Sequence, residues 1–227
     1  MAKNPISRPL STLKVRNWQD DYWLLLMQLY LRKPVGVKPV YSRPLVELSL
    51  ELHIAPEQLH ALMSQIARLD TPRIERIWEE YSRNPKRLTR AVRLLRSMMG
   101  FNSSGDFYDG VEMEETFERH FRPLEGDDRI KPFMLVLVLN LYFQLTPLTM
   151  VAETPEVQEL ARLMKVPASL ITEVLVTFQH CDPYLNRKDK VGDSALANAC
   201  QHIWNQYANI DSNQLSAYAE ELKAYFL

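Results

Sequence analysis

Cysteine and glycine are the first things this chain of 227 residues lacks. It holds two cysteines, Cys181 and Cys200. That is too few for a disulfide framework, so the expected compartment is a reducing cytoplasm. Glycine is equally scarce, at six, and the apolar residues recur at spacings of three and four rather than two. Together these argue against a sheet-rich chain and predict an all-α fold. No apolar run reaches bilayer length. The longest, Phe133 to Phe143, is eleven residues with Asn140 inside it, where a span needs roughly twenty. It reads as a buried helix, and no membrane partner is expected. The first residues carry no apolar stretch behind their charges that would mark them for export. The glycines form no phosphate-cradling loop. His53, His60 and His120 stand apart from any Ser or Cys nucleophile with an orienting acid. The sequence therefore names no catalytic residue and no cofactor, and the expectation is a protein that is not an enzyme.

What the chain does have is one stretch written twice. Leu26 to Asp70 lies over Val138 to Asp182 without gaps, so that Tyr30 falls on Tyr142, Leu48 on Leu160, Ile54 on Val166, Leu62 on Val174 and Asp70 on Asp182, always 112 positions on. Farther along, Ile77-Trp78-Glu79-Glu80-Tyr81 falls on Ile203-Trp204-Asn205-Gln206-Tyr207, which places an insertion of 14 residues in the second copy after Asp182. One helical unit has been duplicated, and both halves are expected to share a fold.

The domain reading follows from this. Residues 1–16 are polar, basic and aperiodic, a flexible arm. Residues 17–100 are the first repeat, 101–131 an acidic linker with one possible short helix, and 132–227 the second repeat. In the first, a helix from Asn17 to Arg32 precedes a proline-bearing extended linker. A short helix opens at Pro44 and a second at Pro56, with Leu59, Leu62, Met63 and Ile66 on one face, answered in the second copy by Ile171, Val174, Leu175 and Phe178. Two further helices start at Thr71-Pro72 and Asn84-Pro85. Most of the fourteen prolines sit where a helix can begin, since the first turn has no use for the missing N–H. Two short helices joined by a tight turn and packed on an earlier helix make a helix-turn-helix outline.

In this order the motifs resemble the helical domain that precedes the His-Asn-His nuclease module in many bacterial restriction-type endonucleases. There an apolar helix ending in leucine–tyrosine leads through a proline-bearing loop to a helix-turn-helix-like pair, then to a segment ending in Asp-Pro, then to a tryptophan-centred helix. Leu29-Tyr30 and Leu141-Tyr142 match the first feature. Ile66 to Asp70 and Phe178 to Pro183 match the third, and the helices around Trp78 and Trp204 the fourth. The resemblance covers residues from about 20 to the C-terminus and implies DNA association. On that reading Gln58, His60 and Arg68 of the second helix are the candidates for reaching DNA. The family's usual cation near the start of that helix is absent: copy one has none before Arg68 and copy two has Ser169, Thr172, Glu173 and Thr177 with no Lys or Arg. No nuclease module follows either copy.

The formal net charge of −1 hides two unlike halves. Residues 1–100 hold 17 Lys and Arg against 9 Asp and Glu, and residues 101–227 hold 10 against 19. A basic half beside an acidic half points to a polyanion site or to docking between copies of the chain. The cations concentrate on the helix from Pro85, where Lys86, Arg90 and Arg93 share one face, Arg87 and Arg96 flank it, and Arg83 lies just before it. Leu88, Ala91, Val92, Leu95 and Met98 are expected to form the buried side, and no acid occurs between Pro85 and Gly100 to pair with the cations. His180-Cys181 and Cys200-Gln201-His202 lack zinc-finger spacing and read as structural residues rather than metal ligands. The leading expectation is a non-catalytic DNA-binding protein, and the alternative a protein-interaction adaptor that has lost its DNA surface.

Overall fold

The computed structural model describes residues 18–98, 101, 117–185 and 194–227. The basic arm of residues 1–16, the first part of the acidic linker, and part of the insertion in the second copy lie outside the described residues. Among those described there are eleven α-helices and no strand, the all-α fold that the apolar spacing predicts. The first five are α1 (Tyr22–Leu31), α2 (Arg43–Leu52), α3 (Pro56–Arg68), α4 (Pro72–Tyr81) and α5 (Pro85–Ser97). A short α6 (Phe117–Phe121) follows, then α7 (Pro132–Tyr142), a 3-10 turn at Pro147–Thr149, α8 (Pro155–Met164), α9 (Ala168–Cys181), α10 (Ala195–Tyr207) and α11 (Ser212–Lys223).

The helix starts are written locally. Pro56, Pro72, Pro85, Pro132 and Pro155 stand in the first turns of their helices, where a missing N–H costs nothing. Thr71 Oγ accepts from the Ile74 N–H, Asn84 Oδ1 from Arg87, and Asp211 Oδ1 from Asn213 and Gln214. Thr154, which precedes Pro155, makes no side-chain cap to α8: its hydroxyl donates to the Thr149 carbonyl at 2.5 Å and ties down the preceding turn.

One pair of helices keeps the offset of the repeat at both ends. Both ends of α2 and of α8 stand 112 positions apart. Each of these helices ends on a left-handed residue at the same place, His53 at φ 54° and Lys165 at φ 57°. In both, the next N–H reaches back into the helix, Ile54 to the Ser49 carbonyl at 3.1 Å and Val166 to that of Ala161 at 3.0 Å, which satisfies carbonyls that the helix end leaves open. Tyr30 meets Trp78 edge to face at 5.9 Å, and Tyr142 meets Trp204 the same way at 5.6 Å.

The chain divides into two compact units, Met1–Val37 with Ser49–Asp109, and Lys38–Leu48 with Gly110–Leu227. The division differs from the repeat boundaries in two ways. It cuts the proline-bearing linker after Val37 and α2 after Leu48, so the linker from Lys38 and the first part of that helix group with the second unit. The later part of the expected acidic linker is also structured: Phe121 and Ile130 are buried, with Phe121 stacked on Phe133 and Tyr225. Aromatic burial at scattered positions, invisible to a charge count, decides this.

In the first unit α1 packs on α3, α4 and α5. Trp23, Met27, Ile66, Ile74 and Ile77 line its tight interior. In the second unit α7 is covered by α6, α8, α9, α10 and α11. Every residue from Phe133 to Leu139 is buried, as a helix apolar on all sides must be. Leu62 and Val174, paired by the repeat, are both buried. No helix among the described residues is long and apolar enough to cross a membrane.

The left-handed corners give a direct test. A non-glycine residue there costs on the order of 1–2 kcal/mol, part of which glycine returns through the entropy of the unfolded chain. His53→Gly and Lys165→Gly should each raise stability by about 0.5–1 kcal/mol in urea titration. Lys165→Val should lower it. A stabilising valine would remove the left-handed assignment.

Candidate nucleic-acid interface

The sequence places α5 as an amphipathic helix, and packing fixes which side faces out. Leu88, Val92 and Leu95 are buried and Ala91 is half-buried. Met98, expected on the buried side, is exposed instead, because the helix ends at Ser97 and Met98 turns extended at ψ 137°. Opposite the buried side, Lys86, Arg90 and Arg93 are exposed at helical spacings of four and three, with Arg83 exposed in the turn before. None of these four has an ion-pair partner among the described residues.

The flanking cations do have partners, a correction to the expectation that nothing stands near enough to pair. Arg87 Nη2 lies 2.6 Å from Glu80 of α4, with its guanidinium 5.6 Å from the centre of the Tyr81 ring. Arg96 makes a two-pronged contact to Glu51 of α2, at 2.6 and 2.7 Å. Glu80 could have been anticipated, seven residues upstream across a helical corner. Glu51 lies 45 residues away in sequence, and no local signal points to it. Both pairs are solvent-exposed, worth about 0–1 kcal/mol each, and they leave Arg87 and Arg96 less available to a ligand than the central three.

Arg68 on α3 is held by Asp70 at 2.8 Å. Gln58 and His60 are half-buried, and the His60 carbonyl accepts from Ser64 Oγ at 3.0 Å. α3 and α5 each pack on α1, and their candidate residues are not gathered into one cluster. Arg73 stands 3.9 Å from Asp21, and Arg76 Nε donates to the Pro72 carbonyl at 3.2 Å. Of the candidate cations, Arg83, Lys86, Arg90 and Arg93 have no ion-pair partner among the described residues.

The second copy shows what its packing requires. Aligned at their caps, Asn84 and Asp211, which stand 127 positions apart and so one residue beyond the offset of the tryptophan helices, Leu88, Val92 and Leu95 of α5 correspond to Leu215, Ala219 and Leu222 of α11, all buried. Lys86, Arg90 and Arg93 correspond to Asn213, Ala217 and Glu220. The apolar side recurs and the cations do not, so burial does not demand them.

Around the cysteines, Cys200 is buried and Cys181 half-buried. The Cys200 thiol is pushed well above its ordinary pKa by burial, with smaller additions from Cys181 and Glu173. Burial raises Cys181 as well. His180 Nδ1 is engaged with the Val176 carbonyl at 2.8 Å. His202, two residues from Cys200 on the same helix, is exposed. Among the described residues no group of three or more His, Cys, Asp and Glu could hold a metal ion.

A thiol reacts as the thiolate, so raised values predict slow alkylation at neutral pH. Mass spectrometry after brief iodoacetamide treatment should find Cys200 unmodified in the native protein and modified once urea unfolds it, with Cys181 the faster of the two in the native protein. Equal native rates would contradict the burial of Cys200. No known protein family, curated protein or solved structure matches the chain.

Proposed function

We propose that the chain is a non-catalytic DNA-associated protein whose first unit binds the phosphate backbone of duplex DNA through α5, without reading sequence. The observation that carries this is the exposed row Lys86, Arg90 and Arg93, extended by Arg83, with no acidic partner among the described residues and no counterpart in the second copy. Lys86 and Arg93 stand about 10 Å apart along the axis at 1.5 Å per residue, a reach that suits successive phosphates of one strand. Phosphate contacts position a protein on DNA, and base contacts supply sequence preference. With Gln58 and His60 half-buried and Arg68 engaged by Asp70, α3 offers little for base reading. The resemblance of the motifs to the helical domain ahead of nuclease modules agrees with association with DNA.

Each neutralised phosphate releases counterions and adds about −0.9 to the slope of log affinity against log salt. Three contacts predict a slope near −2.7, a loss of roughly 40-fold in affinity between 50 and 200 mM salt. Replacing Lys86, Arg90 and Arg93 together by Ala should flatten that dependence and weaken binding to random duplex. Stability should stay within about 0.5 kcal/mol, because the changes are on the surface. Absent duplex binding at low salt, or binding indifferent to the triple change, would overturn the proposal. The non-catalytic part is tested separately: duplex incubated with magnesium or zinc should remain intact, and cleavage that persists through repurification would show a site at work.

A further inference from the structure

The second unit carries an exposed feature that the first lacks. Between α7 and α8 the chain makes the 3-10 turn Pro147–Thr149, and Leu148 at its apex is 91% exposed. Phe143 and Val151, at 47% and 43%, are exposed in the same connection. Single exposed leucines are ordinary, but this one rides on a braced backbone. The Thr146 N–H donates to Thr149 Oγ at 3.0 Å, the Thr149 hydroxyl donates to the Thr146 carbonyl at 2.9 Å, and Thr154 holds the Thr149 carbonyl. A side chain displayed on a fixed turn loses little freedom when it docks. The repeat puts Gly36 and Pro39 where Leu148 and Val151 stand, so the fold does not require the projection.

Acids run on from this turn. Glu153, Glu156 and Glu159 are exposed and have no ion pair with a described residue. Glu156 lies in the first turn of α8, where the helix dipole favours it; Glu159 lies beyond that turn. The complement is in this same chain: beside the cationic row of α5, Leu94 is 65% and Met98 57% exposed. An apolar projection with acids and an apolar edge with cations thus lie on different repeats; of these residues only Glu159 has a like counterpart, Glu47, which is paired with Arg43. Both patches are exposed.

We propose that the chain associates head to tail with a second copy of itself: the Leu148 turn of one copy seats against Leu94 and Met98 of the next, and Glu153, Glu156 and Glu159 face Lys86, Arg90 and Arg93. The proposal rests on the reading of α5 as the free cationic face, and it makes DNA and a second copy competitors for it. A contact between two different patches is heterologous and leaves one of each open at the ends, so assembly continues beyond a pair or closes into a ring.

Light scattering on the intact chain tests this. At low salt the mass should rise with concentration above the 26.5 kDa of one chain and return to it in high salt. Leu148→Asp, at an exposed position, should weaken association at least about tenfold while duplex binding and the helical circular dichroism signal persist. Reversing the acids (E153K/E156K/E159K) or the cations (K86E/R90E/R93E) should each give monomers. Mixing the two reversed variants should restore association, because each supplies the face that the other has lost. A wild type that stays at one chain mass at every concentration in low salt overturns the inference. So does association that ignores Leu148→Asp and both reversals. Duplex binding by such a monomer would leave the DNA role standing alone.

Discussion

A helix that is apolar on every side cannot face water anywhere along its length, and α7 is such a helix. From Phe133 through Leu139 no residue is left exposed. Each large side chain buried there contributes about 1.5–3 kcal/mol before the entropy of ordering it is counted. That burial is possible only if other elements surround the helix, and α6, α8, α9, α10 and α11 all do. The rest of the unit can be understood as the smallest set of short helices that closes around one strand of sequence. In the first unit α1 has the same part, with Tyr22, Leu25, Leu26 and Met27 buried against α3, α4 and α5. Tyr30 and Tyr142 then fasten the ends of α1 and α7 to the tryptophan of a later helix, through ring contacts of matching geometry.

Closure of this kind needs abrupt changes of direction, and the sequence makes them without glycine. His53 and Lys165 accept a left-handed backbone because the following N–H recovers a helix carbonyl. In the first copy, Ile54 buries its side chain one position later. The Ser49 hydroxyl also donates to the Ile54 carbonyl, satisfying both groups inside the core. The hydrogen bonds and the apolar contact offset the local cost that glycine would have avoided. This is why a chain with six glycines can still turn so often.

Much of this was legible beforehand because it is local. Proline and cap residues mark helix starts, and spacings of three and four mark Leu59, Leu62, Met63 and Ile66 as one face. The gapless repeat transfers each assignment to the other copy. What was not legible depends on residues far apart. Charge counts made residues 101–131 a linker, yet Phe121 and Ile130 are core, and the ring partners of Phe121, Phe133 and Tyr225, come from distant parts of the sequence. The first part of α2 groups with the second unit, although both ends of the helix align with those of α8. Arg96 looked unpaired until Glu51 arrived from another helix. Met98 fit the buried periodicity, but the helix stopped before reaching it.

The cationic row on α5 is unfavourable to the helix that carries it. Lys86 sits in the first turn, where the positive end of the helix dipole disfavours a cation. Lys86 and Arg90, four apart, repel each other by a few tenths of a kcal/mol. Arg93 joins the same face without an acid to relieve it. The equivalent helix α11 keeps the packing residues Leu215, Ala219 and Leu222 and is capped by Asp211, with Asn213 and Glu220 where α5 has Lys86 and Arg93. The same fold is therefore available with gentler electrostatics. Arg87 and Arg96, which found Glu80 and Glu51, are accounted for by the folded chain itself. Lys86, Arg90 and Arg93 gain nothing comparable from it, and a charge arrangement that folding does not reward is in keeping with the proposed role of α5.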